Sequence, residues 1–316
     1  MINLAIIIPA YKETYMEKAL ISISKQTNKN FKVYVGDDCS QYAIKSICDK
    51  FKNKINLSYH RFDTNLGRKD LVSQWHRCIN LMNDEKWIWL FSDDDLADQH
   101  CVEKFYEALK VTNSFYDVYR FNTTVIDRDD KFISQAVESP QLENPMRLTL
   151  NILKWNRGNS MPDHIFKKAK YNELGGFINF IQAQGSDWAT SINFSYPKGL
   201  YTIAGPHVYW RQSGQNISSE ASRNKAKLIF GHLQFISWVN ERFKKEDETI
   251  YGTKISEIKQ ESKNNLEMVI KFHYKGIPFL KFFNISMKIS SIFKESIFKS
   301  AWFCLKINYR VFKYKY

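Results

Sequence analysis

The chain predicts an α/β fold: a doubly wound, mostly parallel sheet followed by a basic, helical C-terminal extension. Three observations carry this. The apolar runs Leu4–Ile8, Phe31–Val35 and Trp87–Phe91 are uninterrupted, as in parallel strands covered on both faces. The segments between them carry apolar residues at helical spacing, giving a β-α-β-α-β-α-β pattern whose ligands belong at the carboxyl ends of the strands. Finally, charge is unevenly spread: residues 270–316 hold ten Lys/Arg against one acid, Glu295, so +9 of the formal +13 sits there.

Taken in order, Leu4–Ile8 stops at Pro9 and has no basic region before it, which suits a buried strand and is too short for a signal peptide. Met16–Gln26 reads as a helix through Ala19, Leu20 and Ile23. A short strand is expected near Leu57–Arg61. Asp70–Met82 is helical through Leu71, Trp75, Cys78, Ile79 and Met82. Residues 115–215 are more mixed, with strands expected at Val118–Asn122 and Phe132–Val137 and a break at Gly175-Gly176. After Ser219 the chain becomes Lys-rich and helical, with a stripe of Ile229, Leu233, Ile236, Val239 and Phe243. In the last segment Phe282, Ile285, Ile289, Ile292, Phe293 and Ile297 share one helix side, and Lys281, Lys288 and Lys299 share another. Trp302, Phe303, Tyr309, Phe312, Tyr314 and Tyr316 add aromatics. The expected division is a domain at 1–218, in halves 1–110 and 111–218, and a helical extension at 219–316.

At 316 residues, 44% apolar and 25% charged, the composition is that of a globular protein. The five cysteines lack C-x-x-C spacing, so neither a disulfide framework nor a zinc site is indicated and a reducing compartment is expected. No stretch reaches the roughly 18 apolar residues that span a bilayer. The expected location is cytoplasmic, with a peripheral place on the inner face of a membrane left open by the tail.

Each strand end in the first half delivers polar residues: Pro9-Ala10-Tyr11-Lys12-Glu13, Gly36-Asp37-Asp38-Cys39-Ser40 and Ser92-Asp93-Asp94-Asp95. Three consecutive carboxylates beside a buried strand repel one another unless a cation or strong donors compensate. Oxygen ligands in this number suit Mg²⁺ or Mn²⁺ carried with a diphosphate, whereas the plainer reading is a solvated acidic turn that caps the next helix. Asp37 and Asp38 can accept an imide N–H or a ribose hydroxyl, or one of them can cap a helix. Tyr11 is either a ligand contact or a packed aromatic.

The run Ile6-Ile7-Ile8-Pro9-Ala10-Tyr11, then Ser24-Lys25-Gln26-Thr27, Phe31 to Ser40, Asn65-Leu66-Gly67-Arg68 and Leu90 to Asp95 resembles the family 2 glycosyltransferases with the GT-A fold. The resemblance implies inverting transfer of a sugar from a nucleotide diphosphate sugar, usually a UDP-sugar, assisted by Mn²⁺ or Mg²⁺. It implies that Pro9, Tyr11 and Glu13 form the first nucleotide-contacting loop, that Asp38 with Asp37 holds the uracil, and that Arg68 contacts the nucleotide or its diphosphate. Asp93 and Asp95 would form the Asp-x-Asp metal motif; in the alternative register, Ser92 stands first and Asp94 and Asp95 are the acidic pair. Leu174-Gly175-Gly176-Phe177 followed by Gly185-Ser186-Asp187-Trp188 resembles the family's Gly-Gly-Phe segment and its acidic pair. Ser186 replaces the usual Glu, so Asp187 alone can be the general base that takes the acceptor hydroxyl proton. Tyr209 to Ser218 resembles the loop closing the catalytic domain, with Arg211, or His207 beside it, for the diphosphate.

Two rivals differ in class. A sugar nucleotidyltransferase would show a Gly-rich basic loop after strand one, and Pro9 to Glu13 contains no glycine. A non-enzymatic nucleic-acid binder is suggested by pI ≈ 9.3, but the acids at the strand ends oppose it, so nucleic acid is not expected as a partner. The acceptor is expected to be a glycan or a lipid-linked hydroxyl compound, with the tail of residues 270–316 on an anionic membrane surface, or packed on the protein or on a second copy of the chain.

Overall fold

The computed structural model describes residues 3–214, 224–244, 254–273 and 279–313, together with Gly252. Its first half is the expected alternation: β1 (Leu4–Ala10), α1 (Met16–Ser24), β2 (Phe31–Asp37), α2 (Ile44–Asp49), β3 (Leu57–Arg61), α3 (Leu71–Ile79) and β4 (Trp87–Leu90). These strands lie side by side in the order β3-β2-β1-β4, all parallel. Strand side chains alternate, so β1 feeds two cores. Leu4, Ile6, Ile8 and Ala10 meet Met16, Ala19, Leu20 and Ile23 of α1 on one face. Ala5 and Ile7 meet Val72, Cys78 and Ile79 of α3 on the other. Each fully buried Leu or Ile contributes about 1.5–3 kcal/mol, which explains why these strands tolerate no polar interruption.

The register places the functional edge. Ala10 is level with Asp37, and Ile7 with Leu90, so the chain leaves β1, β2 and β4 on the same side of the sheet. The backbone N–H of Asp38 donates to Ala10 O at 2.8 Å and that of Phe91 to Ile7 O at 2.8 Å, holding the three exits together.

The second half comprises β5 (Leu96–Ala97), α4 (Cys101–Val111), β6 (Val118–Asp127), β7 (Phe132–Gln135), β8 (Leu142–Glu143), α5 (Pro145–Leu153), β9 (His164–Lys167), α6 (Lys168–Glu173), α7 (Ser186–Ser195) and β10 (Leu200–Gln212). The sheet continues from β4 as β9-β6-β10-β5. The longest pairing here, β6 with β10, is parallel, whereas β9 runs antiparallel to both β4 and β6. The strand expected at Val118–Asn122 runs on to Asp127, because Thr123 to Asp127 continue the pairing with Val208 to Gln212 of β10. The one expected at Phe132–Val137 ends at Gln135 and is an exposed strand paired only with β6.

The C-terminal helices are α8 (Lys225–Arg242), α9 (Ile255–His273), α10 (Phe279–Phe293) and α11 (Ile297–Lys313). Ile229, Leu233, Ile236, Val239 and Phe243 are buried as the periodicity predicts. Phe282, Ile285 and Ile289 of α10 are buried in the same core as Ala5 and Ile7 of β1, with Ile292 and Phe293 packed against it. The apolar stripe of the tail therefore faces the protein: helical spacing reports that one face is covered, not by what. The outward faces carry Phe283, Met287, Phe298, Trp302 and Leu305, 42–83% exposed. Among the described residues no helix is long and apolar enough to cross a membrane. The expected boundary at 218/219, the loop residues Gln215 to Ser218, Tyr314 and Tyr316 lie outside the described residues, as do the side chains of Tyr309 and Phe312.

Candidate active site

The exits of β1, β2 and β4 form one cluster. Asp93 Oδ2 accepts the backbone N–H groups of Tyr11 at 3.0 Å and Lys12 at 3.1 Å, so the acidic turn holds the loop after β1. Asp94 accepts from Ser92 Oγ. Asp95 is buried, and its Oδ1 accepts the backbone N–H of Arg211 at 2.8 Å. All three carboxyls are raised above the ordinary range. Burial followed by the charge of Asp94 pushes Asp93 up to about 7 and Asp95 well up, and burial also raises Asp94.

Asp37 and Asp38 are almost fully buried and already partnered. Asp37 accepts from Ser40 N at 2.8 Å and Tyr59 Oη at 2.6 Å, fixing the turn after β2. Asp38 accepts Leu66 N at 2.7 Å and Arg77 Nη2 on one oxygen, and Gly67 N at 2.8 Å and Asn65 Nδ2 at 3.1 Å on the other. A carboxylate offers about four acceptor positions, and here protein donors take four. In this structure Asp38 therefore shapes the Asn65-Leu66-Gly67 rim. Gly67 is needed for that approach, since a Cβ there would lie 2.8 Å from Asp38 Oδ2. Arg68 follows, exposed, at the lip. Glu13 accepts from Ala43 N at 3.1 Å, tying the first loop to α2. Tyr11 is 40% exposed, edge-on at 6.4 Å to the equally exposed Tyr42; Pro9 pairs with Gly36 inside the sheet.

Arg211 and His207 both have protein partners. Arg211 is fully buried; its Nε donates to Asp94 O at 2.7 Å and its Nη1 to Asp127 O at 3.0 Å, it pairs with Asp130, and it lies 4.4 Å over the Tyr15 ring. It binds β10 to the acidic turn and to the β6–β7 hairpin. His207 Nδ1 lies 2.9 Å from Thr124 Oγ1.

Asp187 stands in the first turn of α7. Burial pushes its carboxyl up to about 7, and the charge of Asp163 adds to the rise, while the backbone N–H of Trp188 and the side-chain amide of Asn159 pull the other way. The Ser186 hydroxyl accepts Phe180 N at 3.1 Å, so serine in this place secures the loop ahead of the helix. At Gly176, with φ +101°, a Cβ would fall 2.1 Å from His76 Cε1, which explains the second glycine of the pair.

Sequence reasoning missed the ionic floor between the two acidic sites. Asp163, fully buried, accepts from Ser160 N at 2.9 Å and Ser160 Oγ at 2.7 Å and lies 3.6 Å from Arg120 Nη2. Its charge raises both Asp95 and Asp187. Arg157 and Glu143 form a second buried pair alongside. An arginine inside the apolar run of β6 was the available signal. Arg77, which pairs with Asp38 and stacks 4.0 Å over Phe62, was missed too.

Comparison with known proteins decides the lineage. The family model described as Glycosyl transferase family 2 matches residues 5–173. The chain belongs to that family. Poly(ribitol-phosphate) beta-N-acetylglucosaminyltransferase TarS of Staphylococcus aureus is 37% identical over 129 residues, 40% of this chain and 21% of the relative. The chain thus matches about a fifth of that curated relative. An uncharacterised glycosyltransferase of Haemophilus influenzae is 23% identical over 182 residues, 57% of this chain and 58% of its own. A crystal structure of S. aureus TarS 1–349 in complex with UDP-GlcNAc superposes with TM-score 0.59 at 17% identity, covering 96% of this chain and 89% of that one. The complex with UDP gives 0.58 at 17% identity, covering 99% and 92%. The fold of this family 2 chain is accordingly that of the GT-A structures, with helices at the C-terminus.

Among the described residues no three His, Cys, Asp or Glu side chains are grouped to hold a metal ion. The donor set fits a different kind of site. Mg²⁺ and Mn²⁺ bind through one or two carboxylates plus substrate phosphates and water, and a cation would reverse the upward shifts that crowding imposes on the acidic turn.

Proposed function

We propose that this family 2 chain transfers a sugar from a nucleotide diphosphate sugar, a UDP-sugar, to a hydroxyl of a glycan or lipid-linked acceptor with inversion. The observation that carries the reading is Asp187: a carboxyl poised near 7 on a helix N-terminus, across a buried ionic floor from the acidic turn. A base with that affinity is about half ionised at neutral pH, and its ionised form is strong enough to take a hydroxyl proton as the bond to the sugar forms. The donor would lie against Tyr11, with Arg68 at the rim, while Asp37, Asp38 and Glu13 keep the loops around it in place.

Asp93 and Asp95, with Asp94 between them, would hold Mg²⁺ or Mn²⁺; when bound, the ion neutralises charge building on the diphosphate leaving group. Family membership removes the reason to prefer a nucleotidyltransferase or a nucleic-acid binder. The TarS relative is named for acting on poly(ribitol-phosphate), a surface polymer, which supports an acceptor of surface-polysaccharide type. We keep the division at 218/219 as a proposal. For the tail, the outward apolar residues Phe283, Met287, Phe298, Trp302 and Leu305, interleaved with Lys281, Lys288, Lys299 and Lys306, suit an anionic membrane surface on the cytoplasmic side.

The test is calorimetric binding of UDP and a set of UDP-sugars with and without Mn²⁺, repeated with Asp93→Asn and Asp95→Asn. Mn²⁺-dependent binding that both substitutions weaken supports the assignment. Binding by the parent that ignores Mn²⁺ and both substitutions overturns the metal part.

A further inference from the structure

We propose that Trp155, edge-on to Trp188, is an acceptor subsite and that its occupant is a pyranose ring. The proposal rests on Asp187 being the acceptor-side base. The α5 helix ends at Leu153, and the chain leaves it in a turn closed by Trp155 N to Ile152 O at 3.1 Å and Asn156 N to Asn151 O at 2.9 Å. This hydrogen-bond pair is the helix-ending motif that places its left-handed residue where glycine is usual. Here that residue is tryptophan, with φ +58°. A bulky side chain there costs about 1–2 kcal/mol, at a residue that remains 47% exposed.

The geometry around it points at the base. The Trp155 ring meets Trp188 at 5.3 Å and 87°. Trp188 is the residue after Asp187 and is itself fixed by Phe235 at 5.3 Å. Four residues beyond Trp155, Asn159 Oδ1 accepts Ser191 Oγ of α7 at 3.4 Å. The 155–159 segment therefore runs along α7, with an exposed indole against Trp188 at one end and a hydrogen bond to Ser191 at the other. Left-handed backbone also occurs on the other approach to Asp187, at Gln182 with φ +57° and Ala183 with φ +54°.

The chemistry selects the occupant. A rigid indole face matches the flat C–H face of a pyranose, with amides at hand for its hydroxyls. An open-chain polyol phosphate has no such face and calls for a cation, yet the lysine next to Trp155, Lys154, is paired with Glu257 at 2.7 Å.

The experiment uses the full chain labelled with ¹⁵N at its eight tryptophans, saturated with UDP and Mn²⁺. Methyl pyranosides of glucose, galactose and mannose are titrated in turn, then ribitol 5-phosphate. The Trp155 indole peak is the one lost in Trp155→Gly and in Trp155→Phe. At least one pyranoside is expected to shift it and ribitol 5-phosphate is not; Trp155→Gly should weaken that pyranoside about tenfold, with UDP affinity unchanged and Tm unchanged or higher. The proposal is overturned if no pyranoside shifts the peak, if ribitol 5-phosphate shifts it, or if Trp155→Gly binds the pyranoside as the parent does. Absence of UDP binding by the parent would instead sink the nucleotide-sugar reading.

Discussion

Arg211 donates its backbone N–H to Asp95 Oδ1 at 2.8 Å, while its guanidinium donates to the carbonyl of Asp94 at 2.7 Å. The last strand of the sheet thus carries the acidic turn at the end of the fourth. This relationship gives Arg211 a structural role. Arg211→Ala is expected to cost about 3–5 kcal/mol, because it removes a fully buried guanidinium from beside the carbonyl of Asp94 and the buried carboxyl of Asp95. Arg211→Lys should recover little, since one ammonium cannot reproduce the guanidinium fork. Thermal unfolding measures both. An unchanged Tm with a tenfold loss of donor affinity would restore the direct diphosphate contact expected from sequence.

Asp38 holds the Asn65-Leu66-Gly67 rim by four hydrogen bonds. Asp38→Asn loses the charge facing Arg77 and should make the amides of Leu66 and Gly67 exchange with solvent at least tenfold faster, with donor affinity falling through loss of the rim. Hydrogen exchange in the absence of donor is the check. Unaltered protection with lost UDP binding would mean that Asp38 contacts the nucleotide directly.

Asp93 and Asp187 are both pushed up to about 7. Folding therefore favours their protonated forms: the stabilisation is complete below the ordinary carboxylate range and is lost as pH rises through about 7. Asp187→Asn, which removes one such group, should leave stability near pH 4 almost unchanged and raise it at pH 8 by on the order of 1 kcal/mol. Denaturant titrations at the two pH values measure this, and equal effects at both would contradict the raised carboxyl assigned to Asp187.

The tail presents Phe298 at 83% and Trp302 at 68% exposure, whereas Ile289 is fully buried. Phe298→Glu with Trp302→Glu should abolish sedimentation with phosphatidylglycerol vesicles and leave Tm unchanged, while Ile289→Glu should unfold the helical layer. Failure of the parent to bind such vesicles would remove the membrane role.

The first half of the fold was legible because its strands are continuous apolar runs and its exits are marked by polar residues. The second half was less so: β9 is four residues long, and nothing local reveals that it runs antiparallel between β4 and β6. In the site, the acidic turn and Asp187 could be picked out by residue type. The sequence could not tell a carboxylate that faces a ligand from one that holds a loop, as Asp37 and Asp38 do here, because that depends on which distant N–H groups converge on it. Asp163, Arg120 and Asn159 lie in stretches without motif character, and only the folded chain sets them beneath Asp95 and Asp187.

The most direct test of the assignment of Asp187 as acceptor-side base compares the parent with Asp187→Asn in one assay that follows both UDP-sugar binding and transfer to an acceptor. The account predicts donor affinity within about threefold of the parent and transfer reduced by about 10²–10⁴, with the parent's rate rising through about pH 7. Transfer by Asp187→Asn at the parental rate, or a parental rate that does not change with pH across that range, would contradict it.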